Sequence, residues 1–268
     1  MKSANPIIPL LFTVIAALLL PACNSGDSDS VFLARMGSIE DARFGGDGWS
    51  LDGQQMIATR DKLLDTANFG VNGTVRTSIR ITDTAANQGS LSAALLSDFD
   101  LFFIGYLNDF SPNAFTQAEL DALQTWVSGG GILIVTCDDV DHDAVCEQFG
   151  YMPTGPVMPP ALPAATQAGH PLFDGPFGVV SEVGMSSPYG SFPQPVVDTV
   201  LGVDSTIQPA GAAILIEKTL GLGRVIILGD VDMITGLGGL SVNDAGIHND
   251  NDRFLGNLFA YAIGLIPS

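Results

Sequence analysis

Hydrophobic and polar positions along the chain change texture at regular intervals. Val31-Phe32-Leu33-Ala34-Arg35-Met36 is a short apolar run stopped by Gly37, and from Leu51 to Phe69 the residues Met56, Leu63, Leu64 and Ala67 recur at helical spacing until Gly70. A strand followed by a helix is predicted. Val75 to Thr82 alternates Val75, Thr77, Ile79 and Ile81 with Arg76, Ser78 and Arg80, the two-residue period of an edge or near-edge strand with one wetter side. A short helix over Ser90–Ser97 leads to Asp100–Leu107, an unbroken apolar run of the kind buried on both faces of a parallel sheet. Thr116 and Glu119 have the spacing of a capping box, and Leu120, Leu123, Trp126 and Val127 then share one face until Gly129-Gly130-Gly131 ends the helix. Ile132–Cys137 is another buried strand. Asp138, Asp139, Asp141 and Asp143 then crowd the start of a further helix, where the macrodipole favours carboxylates.

The alternation of strand and helix predicts an α/β domain with a mostly parallel sheet covered on both faces, three layers in all. From Gly150 to Pro195 ten prolines rule out long regular elements, so residues 150–195 read as a loop-rich excursion. Val196–Val203 restores a strand. Ala212–Glu217 and Arg224–Gly229, joined across Gly221-Leu222-Gly223, read as a C-terminal antiparallel hairpin. Asn249 to Asp252 offer N-caps to a closing amphipathic helix through Phe254, Leu255, Leu258, Phe259 and Ala262.

The N-terminus has a different character. Lys2 precedes an uncharged apolar run from Ile7 to Leu20, fourteen residues long, which suits a signal-peptide core and is short of the ~20 needed to span a bilayer. Leu20-Pro21-Ala22-Cys23 follows, and then the polar tether Asn24–Ser30. Leu three before a Cys, with Ala before it, resembles the lipobox of bacterial lipoproteins. That resemblance implies a signal peptide over 1–22, lipid attachment at Cys23 and a tether over 23–30, with ordinary secretion as the alternative. Asn24 in place of Asp implies the outer membrane, facing the periplasm or the cell surface. The expected location is therefore the bacterial cell envelope, with the membrane reached through the lipid anchor only.

Charge narrows the partners. Among 268 residues there are 29 Asp+Glu against 10 Lys+Arg, a formal net charge of −19. Such a chain repels phosphate backbones, so nucleic acid is excluded as a partner and a small molecule, a cation or an envelope protein remains. Two cysteines are left for the folded part, Cys137 and Cys146. An oxidising compartment invites a disulfide, but nine helical steps would part their Cα atoms by ~13 Å against a limit near ~7 Å, so two free thiols are expected.

Several pieces, in order, resemble the class I glutamine amidotransferase-like superfamily, in particular its extracytoplasmic branches. They are Asp100–Leu107, Phe115-Thr116-Gln117-Ala118-Glu119-Leu120, Gly129-Gly130-Gly131-Ile132-Leu133-Ile134-Val135, Gly169-His170-Pro171-Leu172, Gly223–Asp230 and Asn251–Leu258. The match spans about residues 31–264 and implies a single three-layer, flavodoxin-like and amidotransferase-like domain. It places Cys137 where active members carry their nucleophile, with His170 as the candidate base. Here the context is Val135-Thr136-Cys137-Asp138-Asp139, and adjacent carboxylates raise a thiol's pKa, opposing the thiolate that catalysis needs. A Cys137–His170 dyad and a buried structural Cys137 both stand as readings.

Asp139-Val140-Asp141-His142-Asp143 has calcium-loop spacing, but an EF-hand needs Gly next and Glu at the twelfth place, where Ala144 and Gly150 stand. A divalent-cation site from Asp138, Asp139 and Asp141 is set against a solvated helix start; no other cofactor is expected. Asp230 and Asp232 follow a buried strand and should reach the C-terminal rim of the sheet, where open α/β folds bind ligands; with Asp138 they are the candidate ligand-binding residues, or else helix caps. Asp244, His248, Asp250 and Asp252 form a second candidate metal cluster. The expected function is a lipid-anchored, non-catalytic domain binding a small molecule or an envelope protein at this rim. The alternatives are a Cys-dependent or cation-assisted hydrolase and a structural subunit of a surface complex.

Overall fold

A computed structural model describes residues 31–39, 48–82, 90–106, 114–137, 143–153, 160–185, 190–192, 196–204, 212–236 and 242–266. Cys23, Asp138, Asp139, Asp141 and His142 lie outside the described residues.

Among the described residues, ten strands and five helices follow in order: β1 (Phe32–Ser38), α1 (Ile57–Leu64), β2 (Thr77–Thr82), α2 (Ala93–Leu96), β3 (Leu101–Ile104), α3 (Gln117–Ser128), β4 (Ile132–Thr136), α4 (Ala144–Gln148), β5 (Ala161–Pro163), β6 (Asp174–Gly175), β7 (Gly178–Val179), β8 (Thr199–Asp204), β9 (Ala213–Leu220), β10 (Gly223–Leu228) and α5 (Asp250–Gly264). Eight strands make one sheet in the order β2-β1-β3-β4-β10-β9-β8-β5, and β6 and β7 pair apart from it. The first five run parallel, with Met36, Leu101, Ile132 and Arg224 at one level. The rest are antiparallel, β9 and β10 forming the expected hairpin. Strands β2, β1, β3, β4 and β10 have the 2-1-3-4-5 order of flavodoxin-like sheets.

The apolar runs at β3 and β4 are wholly buried because successive side chains enter two separate cores. Phe103, Ile132, Ile134 and Ile226 face α1 and α5. Phe102, Leu133, Val135 and Ile227 face α2, α3 and α4. Both layers are thus written in the uninterrupted hydrophobicity of the strands. Thr116 and Glu119 form the capping box of α3, and Asn249 with Asp252 forms that of α5.

Two expectations are corrected. The helix expected over Leu51–Phe69 is a 3-10 turn at Gln54–Met56 followed by α1, which stops at Leu64. Asp65 turns extended and its carboxylate accepts from the Ala67 backbone N–H at 2.8 Å, a local bond that competes with the helix ladder. Cys137 and Cys146 are joined in a disulfide, with Cα atoms 6.1 Å apart. The two cysteines, nine positions apart, do not share one helix, since Cys137 follows β4 and α4 starts only at Ala144; the strand end and the helix meet on the α4 side of the sheet. The two thiols are not free.

Candidate functional site

The C-terminal rim of the parallel strands is where Cys137, Asp230 and Asp232 were expected, and the structure places all three there. The Cys137 backbone N–H donates to the Leu228 carbonyl at 2.7 Å, so the chain after β4 stays bound to the end of β10. Asp230 comes two residues after Leu228. Its carboxylate caps a 3-10 turn, Val231–Ile234, by accepting from the Asp232 N–H at 2.8 Å. Asp232 in turn accepts from the Thr235 hydroxyl at 3.2 Å. The turn is locked from outside as well. Asn251 donates to the Met233 carbonyl at 3.1 Å, and Thr59 donates to the Ile234 carbonyl. Asp230 and Asp232 are buried; Asp230 caps the turn, and Asn251 and Thr59 dock it onto α5 and α1.

The excursion returns across this rim. The Gly190 N–H donates to the Gly229 carbonyl at 2.9 Å, and a Cβ at Gly190 would stand 2.0 Å from the Cys137 carbonyl oxygen. Only glycine lets the segment pass there. A second close approach of this kind lies at the switch point between β1 and β3, where sheets of this order bind ligands. A Cβ at Gly105 would meet the Trp49 carbonyl at 2.3 Å. The Leu51 N–H donates to the buried Ser38 hydroxyl at 3.0 Å, and Trp49 packs edge-on against Tyr106 at 6.0 Å. Residues 49–51 thus pack against the ends of β1 and β3.

His170 is not brought to Cys137. Its ring packs edge-on against Tyr261 at 4.7 Å and accepts through Nδ1 from the Leu172 N–H at 3.3 Å. Tyr261 donates to Glu217 at 2.8 Å, and Glu217 is opposite Ile226, midway along β10. This is the α5 face of the sheet, toward the C-terminal half of α5, whereas Cys137 belongs to the core on the α4 face. Burial pushes the His170 imidazole below its ordinary pKa, against the opposing pull of Glu217. The Tyr261 hydroxyl is pushed up by burial and by its bond to Glu217. The Cys137–His170 dyad is therefore a correction: its sulfur is bonded to Cys146 and its base lies across the sheet.

The carboxylates of the second cluster have other work. Asp250 accepts from Ser181 N–H and hydroxyl at 2.8 and 2.7 Å and pairs with Arg253 at 2.5 Å. Asp244 meets the exposed His248 at 3.1 Å. Asp252, fully buried, pairs with Lys62 at 2.9 Å. Among the described residues no group of three or more His, Cys, Asp or Glu is arranged to hold a metal ion. Sequence reasoning missed the Lys62–Asp252 pair and the Trp49–Tyr106 contact. Its only available signal for the first was a lysine one place before Leu63 in an otherwise core-facing stripe.

The fold defines a class, the three-layer flavodoxin-like α/β domains. Solved structures agree with it. The mmIFT52 N-terminal domain superposes with a TM-score of 0.53 at 11% identity, over 85% of this chain and 96% of its own. A cytoplasmic protein of Salmonella typhimurium LT2 does so with 0.50 at 13%, over 87% and 100%. A ThuA-like protein from Bacteroides uniformis ATCC 8492 gives 0.49 at 15%, over 87% and 91%. At these identities the first two show the fold alone. No protein-family model matches the chain, and no curated protein matches it.

Proposed function

We propose that this is a lipid-anchored, extracytoplasmic protein of the amidotransferase-like superfamily that works by binding an envelope protein at the rim of its sheet. The observation that carries the reading is the Cys137–Cys146 disulfide. Disulfides persist in oxidising compartments, which supports export, and a sulfur so bonded has no thiolate to attack a substrate. Residues 49–51, packed against the ends of β1 and β3, occupy part of the switch point, which favours a protein surface over a small molecule, because small ligands need a concave site. Cys23 would carry the lipid, with the outer membrane as its destination.

The test has two parts. A photo-crosslinking residue at Asp143 or Glu182 on the rim side is expected to give one discrete protein adduct in intact cells, while the same residue at Leu222, at the other end of the sheet, gives none. Iodoacetamide is expected to label Cys137 and Cys146 only after reduction. Equal adducts from both ends would overturn the binding reading. Labelling without reductant, accompanied by hydrolysis that His170→Ala abolishes, would establish the Cys hydrolase in its place.

A further inference from the structure

Strands β1 and β2 outrun the sheet at the end where its parallel strands begin. They pair with each other from Phe32↔Thr77 to Gly37↔Thr82, but β1 meets β3 only from Met36↔Leu101 onward. The Asp100 N–H donating to the Arg35 carbonyl at 2.9 Å marks the lowest bond to the next strand. Phe32, Leu33 and Ala34 thus belong to a two-stranded ribbon that projects about 10 Å beyond its neighbour. Phe32 is 46% exposed and Leu33 42%, and Val71, in the turn that leads toward β2, is 50%. Phe32 and Leu33 lie on opposite faces of the ribbon, so no single helix of the domain could cover both.

The charge of this ribbon runs against the chain. In a protein with 29 acidic and 10 basic residues, β1 and β2 hold no carboxylate; their charged residues are Arg35 and Arg80, which face each other across the ladder, and Arg76 stands just before β2. Arg76 and Arg80 are exposed, and Arg35 is paired with Asp100 at 2.6 Å. The chain also enters the fold here. Val31 lies eight residues beyond Cys23, and eight extended residues reach at most about 28 Å.

We infer that the tip of the β1–β2 ribbon docks on the phospholipid surface. Phe32 and Leu33 enter the boundary between headgroups and acyl chains, and Arg76 and Arg80 meet lipid phosphates. Aromatic and aliphatic side chains beside arginines are the chemistry of that boundary, and a short tether would hold them at it. The C-terminal rim then points away from the bilayer, toward partners. The inference rests on the lipid-anchor reading for its reach; the chemistry of the tip stands apart from it.

The two are separable by experiment. The full chain and its Cys23→Ala variant are reconstituted with vesicles of phosphatidylethanolamine and phosphatidylglycerol, each carrying an environment-sensitive fluorophore at Leu33→Cys or, as control, at Glu182→Cys. The expected result is a blue-shifted, lipid-quenchable probe at position 33 and an unchanged probe at 182. Phe32→Ser with Leu33→Ser is expected to lower vesicle partitioning of the Cys23→Ala variant on the order of tenfold; both side chains are exposed, so the fold tolerates the change. A chain held on membranes through Cys23 whose two probes respond alike overturns the docking tip and leaves the anchor standing. A Cys23→Ala variant that still shifts the probe at 33, from a chain that carries no lipid in cells, supports the tip and removes the anchor.

Discussion

Replacing Lys62 by Met keeps most of the side-chain volume and removes one ammonium from a fully enclosed place. In the native protein Nζ donates to Asp252 at 2.9 Å, to the Asp244 carbonyl at 2.5 Å and to the Gly246 carbonyl. The side chains of Lys62 and Asp252 are 1% and 0% exposed. Without the lysine, the backbone N–H groups of His248 at 2.7 Å and Asn249 at 3.2 Å still donate to the Asp252 carboxylate, but its ammonium partner is gone. An uncompensated buried charge of this kind costs about 3–5 kcal/mol, against about 0–1 for an exposed pair. Total stability for a domain is about 5–15 kcal/mol, so the loss is a large share of it. In urea unfolding followed by tryptophan fluorescence, with the disulfide intact, the midpoint should fall by about 1–2 M at unchanged slope. Adding Asp252→Asn removes the stranded charge while keeping an acceptor for the two N–H groups, and should recover at least about 2 kcal/mol of the loss. The reasoning is refuted if Lys62→Met costs less than about 1 kcal/mol, or if the double variant is as unstable as the sum of its parts. Either result would mean that the segment at 244–246 rearranges to let water reach Asp252.

Two further outcomes follow from the same physics. The disulfide closes a separation of nine residues, so the Cys137→Ala, Cys146→Ala double variant should lose about 2–3 kcal/mol in the chain-entropy account, measurable by urea unfolding, and reduced native protein should match it; equal stability would show that the bond constrains nothing. Burial alone would raise the pKa of Asp100, but the side-chain and backbone hydrogen bonds from Arg35 outweigh it and hold the carboxyl below its ordinary range. Its contribution is therefore complete above about pH 4 and is lost as the pH falls through the lower folded value. Asp100→Asn should flatten the acid limb of a stability-against-pH curve, and an unchanged limb would remove Asp100 from the acid response.

How much of this was legible in advance varied with the range of the interaction concerned. The capping box at Thr116 could be read because donor and acceptor lie three residues apart and the chemistry is local; for α5 the reading offered four N-caps, of which the structure uses Asn249. Strands β3 and β4 could be read because full burial leaves an uninterrupted apolar run. The alternation of strand and helix then required a parallel sheet with helices on both faces, and β10 beside β4 completes it. The disulfide was misjudged for a complementary reason. Nine residues measured along a presumed helix say nothing about a strand end and a later helix that packs back beside it.

What lay beyond the sequence concerns which surfaces meet. Residue order alone allowed His170 to reach Cys137, but the sheet stands between them: one side chain lies on the α5 face, the other on the α4 face. Asp230 and Asp232 had the residue type of ligands and also of caps, and only the tertiary structure shows Asp230 capping a 3-10 turn held by α1 and α5. Lys62 and Asp252 are 190 positions apart, a distance at which no periodicity couples them. The sequence by itself determined most of the elements of the parallel sheet and its two helical layers, because these follow from local hydrogen bonding and from the period with which apolar residues recur. The tertiary structure alone decided which polar groups are spent on holding the fold, because a carboxylate or a thiol acquires its role from whatever the chain packs against it.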